Sequence, residues 1–297
     1  MKTVIICLAT VSALIAGIKN EVNPKKFTAE NLKNDKTITA SFEMLWETDS
    51  IFKTPESCLF DAERHRIYVS NVNLNPRKKD NNGFISILSK EGKLIKLDWI
   101  TGLSGPKGMG LYNDILYVTD IDEIIEIDLN REVIAKRHKV EGAKMLNDIT
   151  VNPKDGTVYV SAMDTNKIYS LKEGKVGLWK ENVTGPNGLL VDGNQLMVAS
   201  FGEETLKAYD LETKLVTKHY ASKLGKADGV VKLQSGSFVV SDWRGEIFLV
   251  KNNKSNSVYK TIEKNIQTAD IGIIQDEDII LVPTFFENKV KAFKITE

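Results

Sequence analysis

The sequence predicts an all-β chain: a six-bladed β-propeller with four-stranded blades, its ring closed by an N-terminal strand that completes the last blade. Three observations carry the prediction. A short phrase that sets one polar residue behind Pro, Ala or Leu occurs six times, as Pro55-Glu56-Ser57, Pro106-Lys107-Gly108, Leu146-Asn147-Asp148, Pro186-Asn187-Gly188, Ala227-Asp228-Gly229 and Ala269-Asp270-Ile271. The polar residues are 51, 40, 40, 41 and 42 positions apart, a period that belongs to radially repeated sheets. Each phrase leads into a run of β-branched and aromatic residues of strand length, with no helical period competing.

The elements follow in order. The phrases open the innermost strands, which run along the central channel. Second strands read from Ile67-Tyr68-Val69-Ser70 in the first blade to Ile279-Ile280-Leu281-Val282 in the last. Third strands alternate, as in Gly83-Phe84-Ile85-Ser86-Ile87 and Lys167-Ile168-Tyr169-Ser170-Leu171, and fourth strands are more polar, as in Val133-Ile134-Ala135-Lys136-Arg137. The long first step is taken up by a polar loop at residues 73–83. The last repeat stops at Phe293-Lys294-Ile295, one strand short, and Ser41-Phe42-Glu43-Met44-Leu45-Trp46 supplies the missing one. Joining the two ends of the chain removes edges that would invite aggregation.

Three segments result: residues 1–18 as a signal peptide, 19–40 as a polar linker and 41–297 as the propeller. Lys2 followed by an apolar stretch to Ile18 is an export pattern, so a periplasmic or secreted protein is expected. Cleavage leaves Cys58 as the sole cysteine, which cannot form an internal disulfide. With 40 basic and 40 acidic residues the net charge is zero, and no block of one sign suggests nucleic acid or an anionic membrane. The expected associations are a small-molecule substrate and a monomeric chain. His65, His138 and His219 lack metal-ligand or dyad spacing, and no G-x-S-x-G occurs.

In a propeller the six polar residues would form a ring at one end of the channel. Glu56, Asn147, Asn187 and Asp228 supply hard oxygen donors, which suit Ca²⁺ and less well Mg²⁺ or Mn²⁺. Their combined charge of minus two matches one divalent cation, and four protein donors leave positions open for water and substrate. Lys107 is the odd member. It reads as an ion-pair partner of Asp270, as a clamp for an anionic substrate, or as the mark of a propeller without catalysis. Asp148 reads as a partner that orients Asn147 or as a turn residue, and Asp242 as a residue facing the channel mouth or, by preference, as part of a solvated loop. Trp243, Phe285 and Phe286 follow inner-blade strands and either pack in the core or line an apolar pocket.

Four phrases, Pro55-Glu56-Ser57-Cys58-Leu59-Phe60-Asp61, Leu146-Asn147-Asp148, Pro186-Asn187-Gly188-Leu189 and Ala227-Asp228-Gly229-Val230, resemble in order and spacing the metal-binding motifs of the senescence marker protein/gluconolactonase (regucalcin-like) family. They are similar also to those of diisopropyl fluorophosphatase. The resemblance implies a calcium-dependent hydrolase of lactones, esters or organophosphates, with the metal on Glu56, Asn147, Asn187 and Asp228. Asp228 would then be general base or nucleophile. Sugar-lactonase relatives carry Arg where this chain has Met145, which disfavours a sugar acid lactone. Val231 and Gly272 stand where the fluorophosphatase holds a second calcium, so none is expected there. The rival expectation is a propeller that binds a ligand or protein without turnover.

Overall fold

The computed structural model describes residues 40–297. The expected signal peptide and, apart from Ala40, the linker lie outside the described residues. Twenty-four strands, numbered in chain order, form six four-stranded antiparallel sheets, and the predicted all-β, six-bladed propeller is what the chain adopts. The inner strands are β2 (Pro55–Asp61), β6 (Pro106–Tyr112), β10 (Leu146–Val151), β14 (Pro186–Asp192), β18 (Ala227–Lys232) and β22 (Gly272–Ile274). Outer strands such as β9 (Val133–Lys139) and β17 (Val216–Ser222) are largely exposed, which explains their polarity.

The hydrophobic core is distributed between neighbouring blades. One cluster, with Tyr68, Ile85, Leu116, Val118 and Ile125 fully buried, joins blade one to blade two, and equivalent clusters fill the other seams. Burying one such side chain is worth about 1.5–3 kcal/mol, so each seam binds its two sheets strongly. The relative positions of the inner strands are thereby fixed.

The ring closes as predicted. β1 (Ser41–Glu47) pairs antiparallel with β24 (Lys289–Thr296), from Ser41 opposite Thr296 to Glu47 opposite Lys291. Phe42 stacks on Phe293 with centroids 4.5 Å apart, and Thr48 bonds both backbone groups of Val290. Blade six is the least regular, because β22 has only three residues and Asp270 precedes it. Asp270 joins blade one instead, through an isolated parallel bridge to Ser57 and a bond from its N–H to Glu56 O at 2.9 Å.

Candidate functional site

Five of the six phrase residues line one cavity. In each of the first five inner strands the register slips at the phrase: Pro55 opposes Asn71 and Cys58 opposes Val69, so Glu56 and Ser57 together face Ser70. The same slip falls between Pro106 and Met109, Leu146 and Ile149, Pro186 and Leu189, and Ala227 and Val230. Two residues against one make a β-bulge, which re-aims a side chain that simple alternation would send elsewhere. Glu56, Lys107, Asn147, Asn187 and Asp228 accordingly meet at a cavity of about 270 Å³.

Hydroxyls opposite the bulges satisfy the displaced backbone. Ser70 Oγ accepts from Ser57 N at 3.0 Å, Ser161 Oγ from Asp148 N at 2.9 Å and Ser241 Oγ from Gly229 N at 2.9 Å. Thr119 Oγ1 donates to Asn147 O, while blade four has Ala199 in this place and no hydroxyl. The sequence carried this signal as a Ser or Thr recurring at the end of the second strand, and reading the phrases alone missed it. The glycine after the polar residue has a steric reason. A Cβ on Gly188 would stand 2.0 Å from Asp228 O of the next blade, so these glycines allow adjacent inner strands to approach.

Two expected members stand apart. Asp148 and Asp270 flank a second cavity of about 240 Å³. Asp148 does not orient Asn147: its Oδ1 accepts from Ile149 N and its Oδ2 from Leu189 N of the next blade, both at 2.6 Å. Asp270 accepts from Ser57 Oγ at 2.6 Å. The expected Lys107–Asp270 ion pair is therefore not formed. The buried Lys107 ammonium instead donates to Pro76 O at 3.1 Å and Gly105 O at 3.0 Å, because the loop at residues 73–82 folds across blade two and presents its carbonyl there. Arg77 and Lys79 of the same loop pair with Asp164 and Asp122. Asp242, expected in a solvated loop, is fully buried and caps Lys226 N and Arg244 N, both at 3.0 Å, while pairing with the Arg244 guanidinium.

The electrostatics are one-sided. Glu56, Asp148, Asp228 and Asp270 are all buried around the channel, with Lys107 the one buried ammonium among these phrase residues. Burial, then the charges of Asp228 and Asp270, hold the Glu56 carboxyl well above its usual range. Burial, then Asp270, does the same to Asp228, and burial, with a smaller contribution from the Arg77 charge, lowers Lys107. Asn187 Nδ2 donates to Asp228 Oδ1 at 2.7 Å, which leaves Asn187 Oδ1 buried without a donor; Glu56 Oε2 is in the same condition. Buried acceptors without partners cost about 1–3 kcal/mol each, and excess negative charge costs more. A hard cation would relieve both, so the donor set of Glu56, Asn147, Asn187 and Asp228 fits one. Among the described residues no three His, Cys, Asp or Glu side chains converge as a metal-binding group, so that fit depends on the two amides as much as on the two acids.

Apart from Arg77, the rest of the cavity is apolar. Trp243, Phe285 and Phe286 line it in edge-to-face contact, with centroids 4.9 Å apart for Trp243–Phe285 and for Phe285–Phe286. Leu74, Met145, Met163 and Phe201 add to the wall. Of these last four only Met145 was singled out from sequence; the others sit in loops whose path no local pattern encodes.

No protein-family model matches the chain, and no curated protein sequence is detectably similar to it. Similarity appears among solved structures. A protein provisionally assigned as a gluconolactonase has a TM-score of 0.64 at 15% identity, over 88% of this chain and 93% of that one. An inactive virginiamycin B lyase from Staphylococcus aureus, solved with quinupristin, has 0.60 at 12%, over 86% and 99%. The WD40 propeller domain of Doa1 has 0.61 at 14%, over 80% and 77%. At such identities the likeness is one of fold: the chain is a β-propeller.

Proposed function

We propose that this propeller is a calcium-dependent hydrolase acting on a small lactone, ester or related electrophile, with the cation held by Glu56, Asn147, Asn187 and Asp228. The observation that carries the reading is the pair of buried, unpartnered acceptors, Glu56 Oε2 and Asn187 Oδ1, in a cavity that also holds the Asp228 carboxylate. The resemblance of the four phrases to the gluconolactonase and diisopropyl fluorophosphatase motifs supports it, as does the fold shared with a gluconolactonase-like protein. Bound there, a divalent cation supplies Lewis acidity to a carbonyl or phosphoryl oxygen.

The chain's own residues supply the rest. Asp228, on the same cavity, would take a proton from an attacking water or itself attack as nucleophile. Asn187 fixes the orientation of that carboxylate through its amide N–H. The apolar wall limits the water that reaches the reacting atoms. Lys107 has its ammonium turned to Pro76 O and Gly105 O, so it serves the loop rather than the substrate. The apolar N-terminal segment supports export of this activity.

A second reading, a propeller that binds a ligand or protein without turnover, is favoured by one observation: the Lys107 charge lies close enough to Glu56 to oppose the elevation of its pKa, and so competes with a cation. Purified protein assayed with lactones, aryl esters and organophosphates decides between them. The hydrolase reading expects calcium-dependent turnover that Asp228→Asn abolishes. Calcium binding with no Asp228-dependent turnover across the panel leaves the binding module.

A further inference from the structure

We infer that the ligand of this cavity is a neutral molecule with an aromatic or compact branched apolar group, seated against Leu74, Trp243, Phe285 and Phe286, and that anions and sugar derivatives are excluded. The inference deepens the hydrolase reading and rests on it for the bond that reacts, but its recognition argument is independent of turnover.

Three features of the rim and wall lead to it. Leu74 has φ of +89°, a conformation that favours glycine and, at other residues, tends to mark functional positions. Neighbouring bonds hold it there: Leu74 N donates to Thr54 Oγ1 at 3.2 Å, and Asn73 is tied to Lys53 O at 3.0 Å and Asn82 O at 2.8 Å. The strained residue sets its apolar side chain, 77% exposed, on the cavity rim. Phe286, 63% exposed, is a further large apolar residue on the lining. The other large apolar residues with comparable exposure lie on outer strands or their turns, away from the cavity. An unpaired apolar lip beside a concave site gains when a ligand covers it.

The charges exclude the alternatives. The two cations that line the cavity, Arg77 and Lys107, are both engaged, the first with Asp164 and the second with two backbone carbonyls. With the cation bound, Glu56 and Asp228 balance its charge, so no unengaged positive group is left to favour an anion. A sugar needs polar partners along its whole ring, whereas here they are confined to the floor and the wall is Leu74, Met145, Met163, Phe201 and the aromatic trio. Size agrees as well. An apolar cavity of roughly 150 Å³ takes up benzene, so about 270 Å³ holds one ring with a short acyl arm and no large glycan or peptide.

The test uses calorimetric titration of the calcium-loaded full chain with phenylacetamide, whose amide resists cleavage, with phenylacetate, with phenyltrimethylammonium and with glucono-δ-lactone. Phenylacetamide is expected to bind at least about tenfold more tightly than the other three. Leu74→Ser and Phe286→Ser, both at exposed positions, are expected to weaken it about three- to tenfold each, Leu74→Ser without lowering thermal stability, since each removes apolar area that the ligand covers. Equal or tighter binding of the anion, the cation or the sugar lactone overturns the inference, as do rim variants that bind phenylacetamide unchanged. If phenylacetamide binds as stated but no lactone, aryl ester or organophosphate of the panel is turned over, recognition stands and the hydrolase reading falls. If gluconolactone is turned over by Asp228 while phenylacetamide does not bind, the hydrolase reading stands and this inference falls.

Discussion

Gly188→Ala puts the account of how neighbouring blades meet at the site to a quantitative test. Gly188 follows Asn187 inside the bulge of β14, where a methyl group would stand 2.0 Å from Asp228 O and 3.1 Å from Asp228 C, both backbone atoms of the next blade. Ordinary contact begins near 3.4 Å, so the two strands must part by more than an ångström. Neither partner is a side chain that can swing aside. Overpacking of this kind costs about 1–3 kcal/mol or more. At roughly 2–4 °C per kcal/mol for a domain approaching this size, the melting temperature should fall by about 2–12 °C. Gly177→Ala is the control, because Gly177 has nothing within 4 Å of its would-be Cβ and no positive φ. There the change should be neutral or stabilising by about 0.4–1 kcal/mol, through the unfolded chain. Thermal denaturation of both variants, with and without calcium, gives the comparison. Gly188→Ala should also lose its calcium response, since Asp228 moves with the strand. If the two variants melt alike, the close inter-blade approach is wrong.

Two further predictions concern charge. Burial pushes the folded-state Asp270 carboxyl from 3.8 up to about 7, so metal-free protein gains a proton on folding across that interval. Its stability should decline as pH rises from about 4 to about 7, and Asp270→Asn should reduce this slope, leaving the part contributed by Glu56, Asp148 and Asp228, whose carboxyls burial also raises, and gain up to a few kcal/mol above about pH 7. Urea denaturation in chelator at several pH values measures it, and an unchanged slope in the variant contradicts the assignment. Lys107→Met should tighten calcium binding severalfold, by removing a like charge near Glu56, and should speed hydrogen exchange at residues 73–82, whose Pro76 carbonyl it releases. Exchange unchanged in that loop would show that the lysine does not hold it.

Much of the fold was legible because its determinants are local. The polar phrases, the alternating third strands and the unfinished last blade are short-range patterns, and the period near forty was enough to place β1 against β24. The meeting of Glu56, Lys107, Asn147, Asn187 and Asp228 followed from that period, since equivalent positions of a ring converge. What did not follow is set by register and long-range bonding. A bulge at Glu56-Ser57 depends on how many residues of β3 (Arg66–Asn71) lie opposite, which composition does not reveal. The sixth phrase has the same form as the others, yet Asp270 is captured by Ser57 and Glu56 of blade one and faces the second cavity. Lys107 finds its partner at Pro76, on a loop whose course depends on Asn73, Arg77 and Lys79 pairing with residues of three blades. Buried Asp242, which caps Lys226 and Arg244, shows the same limit: its role lies in a fold-dependent turn, not in its sequence neighbours.

The central claim is that Glu56, Asn147, Asn187 and Asp228 hold one hard cation. Its most direct test is equilibrium binding of calcium to the chelator-treated chain and to Glu56→Gln. The account predicts one ion per chain, weakened at least about tenfold by the substitution because a charged oxygen donor is lost. It also predicts that the metal-free variant is at least as stable as the wild type, because a buried like charge is gone. Absence of binding to the wild-type chain, or equal binding to Glu56→Gln, would contradict it.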